Sequence, residues 1–230
     1  MSVPFSHIPA TVRLPLFYAE VDNSQANSGR LNQRALVIGQ ITTDGSAAPG
    51  VPFLSQGVSD AIAKAGQGSM LAMMVAAYRA SDDFGELWCL PLPDAAGATA
   101  ATGSITFAGA PTATGVLSLY VAGSMLTPKI SVPVMVTDTP ATIATAVAAA
   151  INATPNLPVT AAVDGTTAGK VNITARNKGL AGNDIDIRLN YGGAAAGESL
   201  PLGITPTIVA MTGGATNPAL TTALANLGDE

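Results

Sequence analysis

RALVIGQI, residues 34–41, is the stretch whose reading decides the fold. It is a continuous apolar run of strand length, which fits a strand buried on both faces, as in an α/β sheet. A polar loop, TTDGSAAPG (42–50), follows it. Ser59 is then placed to cap a short helix, DAIAKAG, and Ser69 a longer one, MLAMMVAAYRAS (70–81). In the second helix Met70, Met73, Met74 and Ala77 share one face at the three-to-four spacing and are expected to be its packing face. After SDDFG comes ELWCLPL, Glu86–Leu92, a second short buried strand. Strand, helices, strand is a crossover unit, and parallel pairing of the two strands is the expectation.

Composition shifts at PDAAGATAATG (93–103), where small residues without periodicity mark a linker. Beyond it, residues 104–107, Gly115–Val121 and residues 129–136 alternate or run apolar at strand length. Thr139 and Pro140 open a helix, PATIATAVAAAINA, since proline is favourable at the first helical position. Val159–Val163 and residues 170–175 and 184–189 return to strands, and the strict alternation of DIDIRL gives one buried and one wet face. TIVAMTGGA (207–215) reads as a strand ending in a glycine turn, and Asn217 with Pro218 as the start of a last helix, NPALTTALANLG. The fold class expected is α/β and α+β: an incomplete crossover core carrying an inserted β-rich domain of ββαβββ type. The expected divisions are an extended N-terminal arm (1–30), the first part of the core (31–93), the insert (94–207) and a return to a truncated core (208–230).

The arm has proline at positions 4, 9 and 15 and a polar tail, DNSQANSG. Between them residues 12–21 are β-forming with Pro15 inside, which suits a sheet edge or an extended segment that pairs with another chain. Within it Val12, Leu14, Leu16, Tyr18 and Val21 are the candidate inter-subunit contacts.

Composition excludes several function classes. Net charge is −5 with 11% of residues charged, and Arg176 with Lys178 is the nearest thing to a basic cluster, so nucleic acid is not an expected partner. The longest apolar helical segment, residues 141–151, is far short of the roughly 18 residues of a membrane span. The start, MSVPFSHIPATVR, has neither the basic beginning nor the apolar core of a secretion signal. The single cysteine, Cys89, cannot form an internal disulfide, which fits folding in a reducing compartment.

No constellation of catalytic residues emerges. GQGSM (66–70) has the look of a phosphate cradle, but the residues before it are helical, no lysine follows Gly68, and the third glycine of a dinucleotide fingerprint is missing. A helix ending at Gly66 and restarting at Ser69 accounts for it. The one histidine, His7, lies in the proline-rich arm and is poorly placed as a base or metal ligand. Cys89 within an apolar strand behaves as a small hydrophobe with a raised thiol pKa, and Trp88 beside it points to the opposite face. Asp82, Asp83 and Glu86 lack the order of a calcium loop and read as a solvated turn. Asp184 and Asp186 share a strand face that would suit either calcium or solvent. No catalytic residue, cofactor or metal is expected.

Taken together, FSHIPATVRLPLFYAEVDNSQA (5–26), GQGSMLAMMVAAYRA, ELWCLPL, KGLAGNDIDIRLNY (178–191) and MTGGATNPALTTALANLGDE (211–230) resemble the tail sheath proteins of Mu-like contractile-tailed bacteriophages, in order along the whole chain. The resemblance implies a structural subunit and not an enzyme. It implies stacking with copies of itself as six-membered rings around a tail tube, with baseplate and tail terminator at the ends, assembled in the host cytoplasm. It further implies contraction by subunit repacking during genome ejection, and extended arms that add strands to neighbours' sheets, a role that maps onto residues 12–21. It also implies a family length about twice this one, so that the chain is its N-terminal half. The alternatives are a surface-exposed β-rich adhesion or binding module, which the Thr/Ala/Gly-rich insert permits, and an α/β enzyme using the Gly66–Ser69 loop.

Overall fold

The computed structural model describes residues 34–122 and 129–227, so the expected arm, residues 1–30, with His7 and Val12, Leu14, Leu16, Tyr18 and Val21, lies outside the described residues. Residues from Arg34 onward belong to one compact unit, built around separate apolar clusters. The secondary structure is mixed, and the class is the α/β and α+β one expected.

The crossover forms as the sequence implies. Strand β1 (Arg34–Gln40) pairs in parallel with β3 (Glu86–Leu92), in register from Arg34 with Glu86 to Gln40 with Leu92. The two-residue β2 (Phe53–Leu54) runs antiparallel on the far edge of β3. Between β2 and β3 come helices α1 (Val58–Ala65) and α2 (Met70–Arg79). Strand alternation sends Ala35, Val37, Leu87 and Cys89 toward the helices, where they join Ala61, Ala65, Leu71, Ala72 and Val75. Gly39 lets α2 approach β1, since a Cβ there would stand 2.9 Å from the Leu71 Cα. On the other sheet face Ile38, Leu90 and Leu92 pack against Ala223 and Leu227.

Burial of β1 on both faces holds only at its C-terminal end. Gly39, Gln40 and Ile41 are buried, whereas Leu36 remains 42% exposed; among the described residues the helix over that face, α4 (Thr221–Ala225), is five residues long. Helix α1 also differs from expectation. It starts at Val58 with Gly57 as its N-cap and no side-chain cap, and Ser59 sits inside its first turn. Helix α4 starts after Leu220, not at Asn217, because the Asn217 Oδ1 accepts a hydrogen bond from the Leu180 N–H (2.7 Å) and is not free to cap.

The remaining elements form two antiparallel sheets and a helix around one core. The first sheet has the order β10 (Thr205–Thr212), β4 (Ala100–Ala108), β8 (Lys170–Lys178), β7 (Val159–Val163); the second has β6 (Ile130–Val134), β5 (Gly115–Val121), β9 (Ile187–Leu189). Helix α3 (Pro140–Ala153) begins with a reciprocal capping box between Thr139 and Thr142 and Pro140 in its first turn, as the sequence indicates. Its Ile143, Ala144, Val147, Ala148 and Ile151 pack with Phe107, Leu117, Leu119, Leu157, Val171, Ile173 and others into the largest apolar cluster. Three sequence expectations change here. Strand β4 begins at Ala100, inside the expected linker, because Ala101 is buried against Gly182. DIDIRL is not one alternating strand: Leu180–Asp184 is a 3₁₀ helix and only Ile187–Leu189 is paired, since Gly182 tucks in against Ala101 and Ala175. Strand β10 runs to Thr212 along β4, so this sheet continues past residue 207.

Candidate functional site

The glycine stretch ahead of α2 is occupied by the protein itself. Helix α1 ends on Gly66, and the Ser69 Oγ caps α2 by accepting from the Ala72 N–H at 3.2 Å, as expected. The Met70 N–H, which a phosphate would have taken, donates instead to the Asn177 Oδ1 at 2.8 Å. That asparagine stands on β8, 107 residues away, and its Nδ2 donates to the Ile41 carbonyl at 3.1 Å. Gly68 is pressed so closely on the Leu157 carbonyl and the Arg176 side chain that a Cβ there would overlap both. The loop therefore has a packing role, and the N–H groups of Gly66, Ser69, Met70 and Ala72 are all bonded inside the fold.

A second amide completes this joint. Gln40, 3% exposed, donates through Nε2 to the Asp94 Oδ1 (2.8 Å) and to the Lys178 carbonyl (2.7 Å), while the Lys178 N–H donates to the same Asp94 oxygen (3.3 Å). The C-terminal end of β8 is thus tied to the ends of β1 and β3 and to the start of α2.

Beside the joint, the methionine face of α2 turns out not to be its core face. Leu71, Ala72, Val75 and Arg79 are the buried residues, whereas Met74 is 41% exposed. Met70, Met73, Met74 and Ala77 line an open apolar groove of about 280 Å³, faced by Ala181 and Ile185 across it. The three-to-four spacing located a face correctly and assigned it the wrong neighbour, since an α-helix offers several such faces and the sequence does not rank them.

The acidic residues are structural. Asp82 accepts from the N–H groups of Phe84 and Gly85 and from the Tyr78 hydroxyl, and these bonds, led by Gly85, hold its carboxyl below the usual range. Arg79 ties the same turn together by donating to the carbonyls of Asp82, Gly85 and Ser55. Glu86 pairs with Arg34 at 3.1 Å and accepts from the Trp88 Nε1. Asp186 pairs with Arg188, and among the described residues no three acids, histidines or cysteines converge as metal ligands would. Cys89 is buried and unpaired, and desolvation pushes its thiol up to about 11.

One site escaped sequence reasoning. Glu198 is buried, yet its carboxylate accepts from the Tyr120 hydroxyl and from the Gly192 N–H (2.9 Å), with Lys129 Nζ 3.5 Å away. The Tyr120 bond, above all, holds its pKa below the ordinary value. Nothing local in GES, residues 197–199, signals a buried carboxylate, because its partners lie 6, 69 and 78 positions away.

No nucleophile–base pair, phosphate cradle or metal cluster is present among the described residues, and no described helix is long and apolar enough to cross a membrane. What they present outward is sheet edge and apolar side chain: β1 with Leu36 exposed at one edge, and β10, with Ile208 and Val209 exposed and no charge in TPTIVAMT, at another. The five arm residues named from the sequence are not among those described. No family model matches the chain. It is 37% identical over 232 aligned residues to a protein of Haemophilus influenzae described as "Mu-like prophage FluMu tail sheath protein", an alignment that takes in all of this chain and 46% of that protein. The part matched is its N-terminal half, so the chain spans about half the length of the curated relative.

Proposed function

We infer from a chain that is homologous along its whole length to the N-terminal half of a Mu-like tail sheath protein that its role is structural, in the tail of a phage particle. The alignment is the observation that carries this reading. Uncharged, apolar sheet edges of the kind that pair with other chains support it. In this reading the protein polymerises with copies of itself as stacked rings around a tail tube, bounded by baseplate and terminator. Contraction is a switch between two packings of the same subunits, with the energy held in those packings. Residues 12–21, carrying Val12, Leu14, Leu16, Tyr18 and Val21, form the strand that joins neighbours.

Electron microscopy tests both levels. The chain extended to the length of its relative is expected to form tubes or rings, and deletion of residues 1–22 from that protein is expected to abolish them while leaving a folded monomer. Normal tubes from the deletion would sink the arm assignment alone. Absence of any ordered polymer from the extended chain would remove the structural reading itself.

A further inference from the structure

The joint between the crossover core and the β-rich body has an unusual makeup. The apolar cluster around α3 draws its residues from positions 101–211, and those on the two faces of the β1–β3 sheet from positions 35–92 and from α4. None of the three clusters spans the joint. What does span it is a waist of two uncharged amides, Gln40 and Asn177, with Asp94 between Gln40 and Lys178, beside the close seat of Gly68 on the Leu157 carbonyl and the Arg176 side chain. Bodies joined without a shared apolar core behave like transient partners, for which relative motion is the default.

An open groove lies on each side of that waist. One is the methionine groove between α2 and residues 181–185, with Gln40 and Asn177 at its wall. The other, about 550 Å³, lies between the loop of residues 42–49 and the C-terminal end of β8, lined by Thr42, Asp44, Pro49, Asp94, Thr160 and Arg176. Space on both sides of a narrow attachment is hinge geometry. Methionine, unbranched and adaptable, is the apolar residue that best tolerates a neighbour moving against it. We propose that the β-rich body rocks on the crossover core about the Gln40–Asn177 waist, closing the methionine groove as the groove beside the 42–49 loop opens. The device belongs to the chain itself and stands whatever assembly the chain joins.

The test is a distance measured between the two bodies in the full chain. Spin labels go on Ser59→Cys in α1 and Ala146→Cys in α3, both exposed positions, and the native Cys89 is too buried to take label. Asn177→Ala, which removes half of the waist, is expected to widen the distance distribution about twofold. Ala181→Trp, which fills the methionine groove from an exposed position, is expected to narrow the distribution and displace its centre. A distribution unchanged by both substitutions overturns the hinge. So does an Asn177→Ala protein that melts as a whole while Ala181→Trp leaves the distance where it was.

Discussion

Gly68→Ala isolates what the glycine loop does. Gly68 holds φ at +70°, a left-handed conformation that costs a residue with a Cβ about 1–2 kcal/mol. The added methyl would also overlap the Leu157 carbonyl oxygen and lie 2.9 Å from the Arg176 Cδ. The carbonyl belongs to the backbone and cannot swing aside, so an overpacking cost of about 1–3 kcal/mol adds to the strain. The sum, roughly 2–5 kcal/mol, is a large part of the stability of an ordinary domain. Gly97→Ala is the control: φ there is +74°, but nothing lies within 4 Å of the site, so it carries the dihedral cost alone. Urea unfolding of both variants and the parent, followed by circular dichroism, should lower the midpoint in both with little change in slope, and more in Gly68→Ala by at least about 1 kcal/mol. Equal losses in the two variants would refute the close approach of this loop to Leu157. A thermal shift by nucleotide in the parent, lost in Gly68→Ala, would refute the packing role outright.

Other outcomes follow from single groups. Glu198, Asp164 and Asp82 all have depressed carboxyl pKa values, Asp164 through Asn172, Thr166 and Thr167, so each contributes stability that is present above the unfolded carboxylate pKa of about 4 and is lost as pH falls through the folded value; urea midpoints should therefore be flat from pH 7 to about 5 and fall steadily below about 4, less steeply in Asp164→Asn. Cys89, with its thiol at about 11, should be inert to a thiol reagent at pH 8 in the native protein and react at once in denaturant; fast native labelling would contradict its burial. Thr139→Ala removes one half of a capping box and should cost about 1 kcal/mol in urea unfolding, with Thr139→Ser close to the parent.

The parts legible in the sequence were those fixed by local chemistry. Parallel pairing of RALVIGQI with ELWCLPL followed from two apolar runs separated by helices, and the Ser69 cap and the Thr139–Pro140 helix start from capping preferences. Errors arose where a distant residue outbid a local preference. Asn217 would cap a helix, but Leu180 takes its oxygen. DIDIRL alternates as a strand should, yet Gly182 fits between Ala101 and Ala175 and the chain coils there. The start of β4 was hidden because alanine, threonine and glycine carry little hydrophobic signal, and burial of Ala101 depends on Gly182, in a 3₁₀ helix 81 positions further on. At the site level, the helix break at Gly66 and the restart at Ser69 were readable from capping preferences, and they place the loop between two helices. That the Met70 N–H would be taken by Asn177 was not, since sequence gives no distance between residues 70 and 177.

That bond also sets a hierarchy of stiffness. Truncating a core side chain such as Ile143, 2% exposed on α3, should cost about 2–5 kcal/mol. Loss of the Asn177–Met70 hydrogen bond should cost about 0.5–1.5 kcal/mol, somewhat more if the Met70 N–H stays dry. The Asn177–Met70 bond is therefore worth less than a core contact in either body, and its loss should change orientation before it changes folding. Asn177→Asp sharpens the point. The aspartate keeps an acceptor for the Met70 N–H and places a negative charge at the N-terminus of α2, which the helix dipole favours. But it loses the amide donor and sets a carboxylate against the Ile41 carbonyl, an acceptor that can no longer be satisfied. The helix should keep its cap while the β1 side of the waist lets go. Amide exchange is expected to stay slow at Met70 and Ala72 in Asn177→Asp, and to speed up at Met70 in Asn177→Ala. Equal protection of Met70 in both variants would mean that the helix start never depended on residue 177.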